Sequence, residues 1–109
     1  MTRPFRLALR TPVLLLGHPY AVGVTLDLSR GGIGFLAPRA YAEGEALEIE
    51  VFLRDRPKGV RMVVEVAWCL AVPGRRLAHR CGARLLAIGV RESMILRDLM
   101  ATEPQANAA

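Results

Sequence analysis

Asp27, Ser29, Gly31 and Gly32 fall within one short stretch, Asp27-Leu28-Ser29-Arg30-Gly31-Gly32, and offer groups that could recognise a nucleobase. An ionised carboxylate only accepts hydrogen bonds, a hydroxyl both donates and accepts, and glycine leaves the backbone bare for close approach. Presented together at a strand end, these groups match the Watson–Crick and Hoogsteen edges of a guanine. The same atoms also suit a plain hairpin with a polar rim, because Asp and Ser bond nearby backbone N–H groups and Gly31-Gly32 permits positive φ. The residues alone leave both readings open.

A second candidate set is cationic. Arg6 and Arg10 stand four apart near the start of the chain, and a guanidinium can fork onto phosphate or stack on a base. Of the 15 basic residues only Lys58 is not Arg, and the formal charge is +5. That balance fits an anionic or nucleotide partner. It fits equally well a G- and C-rich coding bias, which favours Arg, Ala, Gly and Leu over Lys.

Strands must position these groups. Tyr20, Val22, Val24 and Leu26 alternate with smaller or polar residues before the turn, and Ile33, Phe35 and Ala37 do so after it. Val13 to Leu16 reads as a short buried strand ended by Gly17-His18-Pro19. Leu47 to Leu53 follows a turn at Glu43-Gly44-Glu45. Met62, Val64, Val66, Trp68 and Leu70 mark the inward face of the longest strand, with Cys69 on the opposite face. Leu77 to Leu85 makes a sixth strand, and from Val90 the pairs Ile95/Leu99 and Leu96/Met100 change the period to that of an amphipathic helix. The pattern predicts a mostly β protein: a small six-stranded antiparallel β-barrel, closed so that no edge is exposed, with a C-terminal α-helix. Residues 1–12 are expected as a flexible basic arm, 13–101 as barrel and helix, and 102–109 as a disordered tail.

Catalysis is not expected. Ser, His and acid occur in no motif context, His18 and His79 read as structural or solvated, and no phosphate-binding loop is present. Alternation puts Cys69 and Cys81 on different faces, so neither a disulfide nor a metal site is expected, and no cofactor. The start of the chain has no apolar signal segment, and Val13 to Leu16 is far too short to span a membrane, which points to a reduced, cytoplasmic protein.

The motif pair Arg6-x-x-x-Arg10 and Asp27-x-Ser29-x-x-Gly32, 17 residues from Arg10 to Asp27, resembles the signature of the PilZ domain. Gly44 before a strand, the run Val66-Ala67-Trp68, Gly82 in a late strand and a closing helix extend the resemblance over nearly the whole chain. It implies a bacterial receptor for cyclic di-GMP, which carries two guanines and two phosphates. Arg6 and Arg10 would clamp phosphate and guanine, while Asp27, Ser29 and Gly32 would hold the other guanine edge, with additional contacts from Phe5, Arg30, Gly31 and Arg84. Phe5 stands where some members carry a further Arg that goes with two intercalated ligands, so one ligand per site is expected. Ordering of the arm would signal to an unidentified partner in motility, polysaccharide or kinase machinery. Two alternatives stand beside this reading. One is a PilZ-like docking module that binds no nucleotide. The other is a single-stranded nucleic-acid binder, disfavoured because few aromatic faces look free for stacking.

Overall fold

The computed structural model describes residues 7–17, 20–54 and 56–102. The alternating segments become strands: β1 (Leu7–Ala8), β2 (Pro12–Leu16), β3 (Ala21–Leu28), β4 (Gly32–Ala37), β5 (Ala46–Val51), β6 (Val60–Ala71) and β7 (His79–Ile88), followed by helix α1 (Val90–Thr102). Around the ring β2 pairs with β3, β3 with β4, β4 with β7, β7 with β6, β6 with β5 and β5 again with β2, every pair antiparallel. The expected six-stranded closed barrel with a C-terminal helix therefore forms. Its interior follows from the two-residue period of the strands: Leu15, Ile33, Phe35, Ile49 and Val64 point inward and are fully buried.

Three departures from the simple alternation matter. The first strand begins at Leu7, not at Val13. β1 pairs with the far end of β3, Leu7 opposite Leu28 and Ala8 opposite Asp27, and Leu9 N–H donates to the Leu26 carbonyl at 2.8 Å. Leu7 enters the core, and Pro12 is tolerated because it opens β2, where a missing N–H costs little. Residues 1–6 of the expected arm and 103–109 of the expected tail lie outside the described residues.

The second departure is a β-bulge in β6. Val66 lies opposite Ala83 but Trp68 lies opposite Gly82, so Ala67 is an extra residue without a partner on β7. An inserted residue reverses the parity of all that follows. Trp68, expected inside, is 41% exposed, and Cys69, expected on the outer face, turns in against Cys81. A one-residue offset has this effect because the side-chain period is two.

The third concerns glycine. Among the described residues only Gly44 (φ 86°) and Gly74 (φ 78°) have positive φ, each in a turn that the sequence marks. Gly31 and Gly32 do not use the left-handed region that the hairpin reading reserved for them.

Helix α1 buries Leu96 and Met100 and sets Ile95 and Leu99 against the core. It meets the barrel at β6, and Leu96 and Met100 share a cavity with Leu85 and Ile88 of β7. Elsewhere Phe35 meets Tyr41 edge to face, centroids 6.4 Å apart, and the Arg39 guanidinium lies 4.2 Å above the Tyr41 ring. Burial pushes the Tyr41 phenol above its ordinary pKa, against the opposing pull of Arg39.

Candidate functional site

The β3–β4 hairpin closes through Ser29, whose N–H donates to the Gly32 carbonyl at 2.9 Å. The Ser29 hydroxyl, itself buried, donates to that same carbonyl at 3.4 Å. At that length the contact is weak, so the hydroxyl is able to turn and accept from or donate to an incoming group. The tip is tied to the barrel as well, since the Gly31 carbonyl accepts the Leu85 N–H at 2.8 Å.

Small residues keep this wall low. A Cβ on Gly32 would lie 2.5 Å from the Ala83 carbonyl oxygen, so glycine is required there by the β4–β7 pairing itself. A Cβ on Gly31 would meet nothing within 4 Å. The Asp27 carboxylate rests against Gly34, where a Cβ would come to 3.0 Å from Oδ1 and 3.1 Å from Oδ2. On the neighbouring strands the Trp68 indole covers Gly82, at which an added Cβ would be 2.4 Å from ring atoms.

Together these residues line an open cleft of about 510 Å³ on the outer barrel wall, with Asp27, Ser29 and Gly32 on one side and Trp68, Arg80 and Arg84 on the other. An acceptor pair, an exposed indole face and two guanidinium groups suit a base joined to phosphate. Arg84 is already engaged: its Nε donates to Glu65 Oε1 at 2.6 Å and its Nη2 pairs with the same oxygen.

Two further candidates line other cavities. Arg30 lines a separate cavity of about 270 Å³ beside Leu96, Arg97 and Met100 of α1. Arg10 lines a cleft of about 670 Å³ with Arg54, Arg56, Asp98 and Leu99 and does not line the Asp27 cleft, although Ala8, two residues before it, pairs with Asp27. Phe5 and Arg6 lie outside the described residues. Trp68 and Arg80 belong to the cleft and were missed by sequence reasoning. Parity counting hid Trp68, and nothing in the local pattern sets Arg80 apart in so Arg-rich a chain.

Gly82 offers a direct check on this wall. Gly82→Ala should displace the indole, shift the emission of the chain's one tryptophan to the red and cost about 1 kcal/mol, the low end for overpacking because only a side chain must give way. Unchanged emission would mean that Trp68 does not cover Gly82.

The PilZ domain family model matches residues 2–102. The chain belongs to the PilZ domain family. No curated protein matches it by sequence. Among solved structures, this PilZ domain is similar to the PilZ domain of Escherichia coli YcgR with c-di-GMP, with TM-score 0.71, 19% identity, and coverage of 98% of this chain and 95% of that one. It is also similar to E. coli YcgR in complex with c-di-GMP, with TM-score 0.69, 22% identity, and coverage of 98% and 48%. Bacillus subtilis inhibitor of motility, MotI/DgrA, gives TM-score 0.71, 13% identity, and coverage of 93% and 52%. The chain therefore spans about half the length of MotI/DgrA and of the longer YcgR chain. At these identities the likeness is one of fold.

Proposed function

We propose that this PilZ domain is a cytoplasmic receptor for cyclic di-GMP, acting as an adaptor and not as an enzyme. The observation that carries the reading is the cleft in which Asp27, Ser29 and Gly32 of the signature face Trp68 and Arg80. Two structural neighbours hold this ligand, which supports the same choice here. Asp27 accepts from the guanine N1–H and N2–H groups, the Ser29 lone pairs accept a further donor, and the exposed face of Trp68 stacks against the base. Arg80 lies within reach of phosphate, and Arg84 adds a contact if it exchanges Glu65 for the ligand.

Arg6 and Arg10 complete the site when the ligand binds. Arg10 shares its cleft with Arg54, Arg56 and Asp98, and β1 holds Ala8 opposite Asp27, so an anion on the Asp27 wall draws the Arg10 side chain toward it. That rearrangement of the N-terminal segment is the signal, and a partner protein reads the surface it creates. The name of MotI/DgrA makes a motility component the first partner class to test, ahead of polysaccharide and kinase systems.

Isothermal titration with cyclic di-GMP, with GTP and a short oligonucleotide as controls, tests the reading. One ligand per chain, bound in preference to both controls, is the expected result, in keeping with Phe5 preceding the Arg pair. No heat from a folded protein would leave a docking module that binds no nucleotide. Preference for the oligonucleotide with a steep salt dependence would favour the nucleic-acid reading, to which the outward-facing Trp68 restores one stacking face.

A further inference from the structure

Cys69 on β6 and Cys81 on β7 are direct cross-strand partners, and their sulfur atoms are 3.0 Å apart. Both are free thiols. Directly opposed residues of an antiparallel pair have Cα atoms about 4.5–5.5 Å apart, inside the window of about 4.4–6.8 Å that a disulfide spans. The bulge at Ala67 creates this rung. Without the extra residue Cys69 would face outward and the two sulfurs could not meet. Among the described residues no group of three or more His, Cys, Asp or Glu gathers to hold a metal, so the pair has no third ligand.

We propose that Cys69 and Cys81 form a reversible oxidation site that closes to a cross-strand disulfide, with a small hydroperoxide as the oxidant. This site is separate from the nucleotide cleft and does not depend on its assignment.

The two thiols have distinct roles. Cys81 is fully buried, and its thiol is pushed well above the ordinary value by burial first and by the neighbouring Cys69 second, so it stays protonated and away from solvent. Cys69 is partly exposed and meets the oxidant. Its sulfur attacks one peroxide oxygen, the O–O bond breaks, the second oxygen leaves as water or alcohol, and Cys69 becomes a sulfenic acid. Cys81 Sγ then attacks Cys69 Sγ, the S–O bond breaks, and the Cys81 thiol proton departs with the hydroxyl as water. With hydrogen peroxide, two thiols and one peroxide yield one disulfide and two waters. A dithiol reductant returns both thiols.

The wall of the cleft reports on this rung, because Cys69 follows Trp68 and Cys81 precedes Gly82, the residue that the indole covers. Closure alters the surroundings of the one tryptophan in the chain.

The test uses the reduced full-length chain. It is treated with hydrogen peroxide, unfolded in a thiol-alkylating reagent and weighed intact. The expected product is monomeric, lighter by two hydrogen atoms, free of alkyl groups and restored by dithiothreitol. Its thermal midpoint rises by about 10 °C and its tryptophan emission changes. In Cys81→Ser the sulfenic acid persists on Cys69 and is trapped by dimedone, whereas the wild type passes through it. If that variant fails to fold, a dimedone time course on the wild type gives the same order of events. A folded wild type that keeps two alkylatable thiols, or that over-oxidises Cys69 while Cys81 stays alkylatable, overturns the proposal.

Discussion

Replacing Arg6 and Arg10 together by alanine is expected to lower cyclic di-GMP affinity by about 10²- to 10⁴-fold while leaving the thermal midpoint within a few degrees of the parent. Charge-assisted hydrogen bonds are worth about 1.5–3 kcal/mol each, and two lost clamps give that range. The folded barrel loses little, because Arg10 is exposed and makes no contribution to the core. Arg54→Ala is the matched control. It shares the Arg10 cleft but not the signature, and should leave affinity within about threefold, less than 1 kcal/mol. Titration of the three proteins decides the matter. Equal loss from Arg54→Ala would place the ligand in the cleft beside α1, and unchanged affinity in the double variant would end the role assigned to the Arg pair.

Phe35→Ala should be the most damaging single change to the fold. The side chain is fully buried at the centre of β4, meets Tyr41 edge to face, and lies opposite Thr25 on one side and Cys81 on the other. Truncation removes its transfer free energy and leaves a cavity that a closed barrel cannot collapse, at a cost of about 3–5 kcal/mol. Small domains have about 5–15 kcal/mol in total, so much of the stability goes. Urea unfolding should show a lower midpoint with an unchanged slope. A loss under about 1 kcal/mol would mean that Phe35 is not at the centre of the packing.

Most of the strands were legible because burial on one face imposes a period of two: in Met62 to Val66, Glu65 leaves only one face to bury, while the unbroken apolar run Val13 to Leu16 reads as a strand by its shortness and its bounding turn. The candidate site was legible in part. Asp27, Ser29 and Gly32 declare themselves by residue type at the end of a strand, and the hairpin keeps them together. The role of Gly32 was not legible as such, since its need for a bare Cα comes from the Ala83 carbonyl of a strand far away in the chain. Leu7 and Leu9 carried a strand signal that Pro12 obscured, although proline at a strand's first residue is no obstacle.

The sequence by itself determined the class of the fold, the order of its elements, and the family signature with its recognition chemistry, because local alternation, turn residues and motif spacing are properties of neighbours along the chain. Tertiary structure alone decided which side Trp68 faces and that Cys69 meets Cys81. Each depends on one strand's register against another. A single unpaired residue, Ala67, turns that register over without leaving a mark in the local pattern.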